Sequence, residues 1–265
     1  MPESLVSDRP IPFSLVAGGP LHRLLGRLGL LGPDGLPTWK TAAVLALLAW
    51  LPPAILAIVQ SVTVHGYDGW SYFTDGTVYT RYLVAIVAMV ATERFADGRI
   101  TLMINQFSQA QLLDATNQKF FRDVVARADR QASRSAVEFI LMLIAVAWSW
   151  LSFYYVTTAT TGSWEQWGVG SASHLSWAGT AAELLGNPIF LFLGLRWFWR
   201  FMVWSLLLFR ISRLPLKLTA LHPDRAGGLM FLTLFPGIFS GLVLALSCVV
   251  SASLLKTQSL ELVPS

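Results

Sequence analysis

The sequence predicts an all-α polytopic membrane protein: a bundle of about five transmembrane helices with a cytoplasmic helical hairpin. Three observations carry that expectation. Apolar residues make up 54% of the 265-residue chain and charged residues only 13%, about half the charged share of an average soluble domain. The apolar residues gather in runs longer than a globular core requires, and roughly 20 helical residues cross a hydrocarbon core of about 30 Å. Finally, Lys and Arg are plentiful in every second segment between runs and sparse in the others. That alternation is a topology signal, so the net charge of +4 does not point to nucleic acid as a partner.

Residues 1–37 are expected to form a cytoplasmic arm. Pro2, Pro10, Pro12, Gly18, Gly19 and Pro20 interrupt its first part, which lacks the apolar core of a secretory signal. Leu21, Leu24, Leu25 and Leu28, set against Arg23 and Arg27, make Pro20–Leu31 an interfacial helix. The first span is 38–61; Pro52 and Pro53 remove two backbone donors near its middle and kink it. The outer loop 62–77 carries Asp68 and Asp75 and no Lys or Arg. The second span, 78–95, is the weakest, because its clean apolar stretch YLVAIVAMVA is short and Arg81, Glu93 and Arg94 crowd its ends.

In 96–136, Ile100, Met103, Ile104 and Phe107, then Phe120, Phe121, Val124, Val125 and Ala128, recur at helical spacing. They predict an antiparallel cytoplasmic hairpin broken near Ala115 to Gln118. The third span is 137–159. The outer segment 160–187 has Glu165 and Glu183, no base, and Trp164, Trp167 and Trp177 suited to the headgroup level. The fourth span, 188–209, leads to a basic cytoplasmic loop, 210–228. The fifth span, 229–255, leads to an outer tail, 256–265. The positive-inside rule puts the N-terminus in the cytoplasm and the C-terminus outside.

The sharpest candidate site is LGLRWFWRFMVW in the fourth span. Arg196 and Arg200 are four residues apart and share a helix face. Counted from either end of its span, Arg200 falls near the bilayer centre, where an Arg costs at least about 2.5–3.5 kcal/mol. It needs water or a protein partner. Glu93 is the best one on offer, and Glu138 begins the third span. Two readings follow. Arg196 and Arg200, with Glu93, line the path of a channel or transporter for a small anionic solute. Alternatively they form a structural ion pair in a non-catalytic subunit or scaffold of a larger membrane assembly.

Gly237 and Gly241 in the fifth span form a small-xxx-small pair, extended by Ala245 and Cys248. It permits close helix contact, within the chain or in a homo-oligomer. Cys248 is the only Cys, so no intrachain disulfide and no Cys-based metal site is expected. His22, His65, His174 and His222 all fall outside the middle of the spans, so no haem, metal or other cofactor is expected. No GxxxxGK[ST], GxSxG, HExxH or CxxC occurs, and no catalytic residue is assigned.

The polar stretch ALHPDRAGGL, residues 220–229, sits on the cytoplasmic side between two apolar runs. Pro223 sets a turn, Asp224 is a good helix N-cap, Arg225 suits the headgroups, and Gly227 and Gly228 let the chain bend sharply. The readings are a capped re-entry turn, a hinge or phosphate contact, or an enzyme acting on lipid through His222 and Asp224. The tripeptide HPD occurs in J-domain co-chaperones, but here Gly227 and Gly228 lead into a spanning helix where a J-domain needs a soluble one. The stretch resembles the HPDxxGG loop of uncharacterised multi-pass bacterial inner-membrane proteins, over about the last third of the chain. The resemblance implies a bacterial inner (plasma) membrane location and no particular activity. The partners expected are the lipid bilayer and either further copies of the chain or a larger membrane complex.

Overall fold

The computed structural model describes residues 13–109, 113, 115–158, 164–168, 174–218, 223 and 225–261. The chain is an all-α bundle. A short helix α1 (Gly19–Arg27) precedes α2 (Trp39–Thr63), α3 (Ser71–Thr74) and α4 (Gly76–Val78). A π-helical segment, Tyr79–Ala85, joins α4 to α5 (Ile86–Gln109). Then come α6 (Ala115–Ala132) and α7 (Ser135–Thr158). A two-stranded antiparallel ribbon, β1 (Gln166–Trp167) with β2 (His174–Leu175), follows. Next, α8 (Trp177–Ala181) passes through a second π-helical segment, Ala182–Gly186, into α9 (Asn187–Ser212). A 3-10 turn (Met230–Leu234), α10 (Phe235–Ile238) and α11 (Ser240–Glu261) complete the bundle.

Four helical stretches are long and apolar enough to cross a membrane: Trp39–Thr63, Asn117–Ser152, Trp177–Ser212 and Met230–Gln258. They mark a membrane protein. The second expected span is not among them, yet it is helical and traverses the bundle. The α3 turn just before it packs on the far half of α2, where Gly69 meets Ala57 and Ser61. Val87, Ala91 and Arg94 face Trp39 to Ala43 at the near end of α2. Its charges keep it below the apolarity of the other four, and the bundle supplies partners for them.

Pro52 and Pro53 lie inside α2, which runs on through both. Pro53 leaves the Ala49 carbonyl without its helical donor, and Gly186 packs directly against that carbonyl. Helix α6 turns back beside α5, with Phe107 and Phe121 rings 5.9 Å apart, but its backbone packs on α9 rather than along α5 as the expected hairpin would. The break falls a turn earlier than the sequence places it, because α5 ends at Gln109. The C-terminal halves of α5 and α9, together with α6, enclose a core of Ile100, Met103, Ile104, Phe107, Phe121, Val203, Trp204 and Leu207. Helix α9 with its preceding turns covers 36 residues, about 54 Å at 1.5 Å per residue. That is well beyond the thickness of a bilayer core.

The Gly237–Gly241 stripe is used within the chain. A Cβ at Gly241 would collide with Thr92 of α5, so the glycine lets α11 lie against that helix. Ala245, one turn on, is fully buried.

Candidate functional site

Glu93, Glu138, Arg196 and Arg200 come from α5, α7 and α9 and form one buried ionic cluster. Arg200 Nη1 donates to Glu93 Oε1 at 2.7 Å, the contact the sequence points to. Arg196 reaches the same oxygen from Nη1 at 3.0 Å and Glu138 Oε1 from Nε at 2.8 Å. Side-chain exposure is 3–6% for all four groups. Two guanidiniums and two carboxylates balance in charge, which is what makes their shared burial tolerable. Trp197 lies between the two Arg on α9, its indole N–H donating to the Met89 carbonyl at 3.0 Å. The Arg200 guanidinium sits 5.2 Å from that ring.

The N-terminal arm completes the cluster. Phe13, Leu15 and Val16 are buried in the bundle. The Val16 carbonyl accepts from Arg196 Nη2 at 3.3 Å. The Leu21 N–H, in the first turn of α1, donates to Glu138 Oε2 at 3.1 Å. A carboxylate at a helix N-terminus is favourably placed against the helix dipole. Gly19 has φ +86°, and a Cβ there would sit 2.5 Å from the Glu138 carboxyl. Below it, Ser14 bonds Asp97 through its hydroxyl and Asp129 through its N–H. The arm is therefore an integral strap across α5, α6, α7 and α9.

The depth of the Arg pair differs from the count along the chain. Glu138 is in the first turn of α7, and Glu93 adjoins Arg94, which faces the first turns of α2. The cluster is thus level with the ends of α2 and α7, not half way along them. The reason is that α9 overshoots both helices, so the midpoint of its apolar run is not the midpoint of the bundle.

A second polar cluster closes the opposite end. Asp75 accepts from Lys256 Nζ at 2.7 Å, Trp164 Nε1 at 2.9 Å and Thr77 N at 2.9 Å. These contacts join the three segments 62–77, 160–187 and 256–265, which the charge pattern assigns to one side. Beside them the two π-helical segments meet. Tyr82 and Arg81 donate to Asn187 Oδ1 at 2.9 and 3.1 Å, and Asn187 Nδ2 donates to Glu183 Oε1 at 2.7 Å. π-Helical insertions often mark functional positions. The remaining void among Arg81, Glu165, Glu183 and Asn187 is about 10 Å³, room for one water. The sequence reading missed this cluster and the strap. Its only trace in the sequence is that 160–187 carries Glu165 and Glu183 but no Lys or Arg.

Burial pushes the Glu165 carboxyl above its ordinary range, with Lys256 and Arg81 pulling it partly back. A carboxyl whose pKa is raised on folding costs stability only once it ionises. Below about pH 4.5 it is protonated folded and unfolded alike, and above that the native state is penalised. Glu165→Gln should therefore raise the melting temperature at neutral pH, with the difference vanishing in acid. Melting curves of the two proteins from pH 4 to 8 check this.

Of the remaining candidate residues, His222 and Asp224 lie outside the described residues. Arg225 adopts φ 56°, and Gly227 and Gly228 have φ 64° and 94°. This is the sharply bending backbone expected of that stretch. Gly237 approaches the Arg99 guanidinium. Among the described residues, no three His, Cys, Asp or Glu side chains converge as a metal site. Compared with protein-family models, curated proteins and solved structures, the chain matches none.

Proposed function

We propose that this chain is a non-catalytic scaffold subunit of a larger assembly in a bacterial inner (plasma) membrane, its N-terminus in the cytoplasm and its C-terminus outside. The observation that carries this reading is the buried pairing of Arg196 with Glu93, Glu138 and the Val16 carbonyl and of Arg200 with Glu93, which leaves Arg200 Nη2 buried without a hydrogen-bond partner. A guanidinium already neutralised by carboxylates offers little field to a passing anion, and both Arg side chains are buried. Broad apolar faces support the same reading. Phe139, Leu143, Trp148 and Trp150 on α7 are exposed, as are Val243, Leu244, Val250 and Leu254 on α11. Such faces meet lipid, further copies of the chain or another membrane subunit. The orientation rests on the Arg and Lys content of the segments at the strap end.

Two measurements on the intact protein test the reading. Purified in mild detergent from its native membrane, it should carry a second membrane protein in fixed ratio. Reconstituted alone in liposomes, it should give no anion efflux above protein-free vesicles. Efflux that Arg200→Gln abolishes, in a protein that still folds, would overturn the proposal in favour of a small-anion channel or transporter.

A further inference from the structure

We infer that the cleft between the start of α2, the loop before it and α5 is a binding site for one anionic phospholipid, taken from the leaflet on the strap side. The cleft has a volume of about 650 Å³, within the range of small-molecule sites. How the sequence makes it is visible. Small residues face each other across the two helices, Ala42 and Ala43 on α2 and Ala91 on α5. Larger side chains would have closed the gap.

The loop before α2 forms the third wall and is held rigidly. Gly32 N–H donates to the Leu36 carbonyl at 2.9 Å, and Leu31 bridges Pro37. Thr38 and Thr41 both donate to the Leu30 carbonyl, at 3.0 and 2.6 Å. The void therefore persists as part of the fold.

Its chemistry is two-sided. Lys40 lines it, is exposed and has no acidic partner among the described residues. Arg94 lines it too, with one guanidinium nitrogen 2.6 Å from Asp34 and the side chain still 56% exposed. The N-terminus of the 25-residue α2 opens into the same wall and adds a partial positive charge. These features select an anionic headgroup.

The other wall is apolar and continuous with the outer surface of the bundle. Val87 belongs to the cleft and to the exposed apolar face beside Val84, and Leu47 and Leu51 are exposed on α2. A soluble anion has no use for that wall, whereas acyl chains do. Trp39, 77% exposed at the rim, is of the type enriched at headgroup depth. A phosphate-bearing lipid satisfies both halves at once; a zwitterionic lipid forgoes the charge contribution.

The test is native mass spectrometry of the full-length protein, offered equal amounts of phosphatidylglycerol and phosphatidylcholine. One phosphatidylglycerol per chain should survive activation preferentially. Lys40→Gln should lower its retention about fivefold. Ala91→Phe should abolish it by filling the cleft; Ala91 is exposed, so the larger ring does not enter the core. Equal retention of the two lipids overturns the inference. So does undiminished phosphatidylglycerol binding in both variants while their melting temperatures match the wild type. Competition by glycerol phosphate as effective as by the lipid itself overturns it as well, since the apolar wall would then contribute nothing.

Discussion

Arg196→Met should destabilise the protein by about 3–5 kcal/mol, the range for removing one partner of a buried ion pair. In thermal unfolding this is a drop on the order of 10 °C. Little of that loss reflects a net attraction given up. It arises because Glu138 stays buried without its guanidinium, and Glu93 keeps only Arg200. The double variant Arg196→Met with Glu138→Leu removes one charge of each sign and leaves the Arg200–Glu93 pair intact. It should recover most of the lost stability, although the Leu21 N–H loses its acceptor. If the double variant is as unstable as the sum of the single ones, the cluster is not coupled in the way its geometry requires.

Gly19→Ala is the second large effect. The backbone there, at φ +86°, disfavours any L side chain, and the added methyl would press on a carboxyl already fixed by Arg196 and Leu21. Strain and overpacking together should cost about 2–4 kcal/mol. The strap should detach before the bundle unfolds, because α2, α5, α7, α9 and α11 also pack on one another without it. Limited proteolysis reads this directly. The Ala variant should be cut near residues 13–19 under conditions that spare the wild type. Cleavage at the same rate in both would show that the strap is already loose.

Much of the architecture is legible in the chain. A run such as YLVAIVAMVA or FILMLIAVAW has no stable place but a helix in lipid or in a core, since every backbone polar group must be satisfied within the segment. A helix therefore lies at each of the five expected spans, four of them long and apolar enough to cross a membrane, and the 3.6-residue pattern through Ile100–Phe107 and Phe120–Ala128 is helical in both stretches. The Arg200–Glu93 contact was also accessible, because few acids lay within reach of a helix that needed one.

What failed was anything set by where one helix lies along another. Helix length in the sequence does not say how far α9 overshoots α7, so the level of Arg200 relative to the ends of its neighbouring helices could not be read from it. The strap was invisible for a related reason. Ser14, Val16 and Gly19 make no periodic pattern, and their value comes from Asp97, Glu138 and Arg196, far away along the chain. The cleft at Ala42, Ala43 and Ala91 is likewise a property of two facing surfaces. Local composition and periodicity determined the all-α class, the helices and the alternating charge, because each is decided within a segment by hydrogen bonding and hydration. The tertiary structure alone decided which charges neutralise each other, what the glycines touch and where space remains. Those depend on the relative register of distant helices, a quantity no single segment contains.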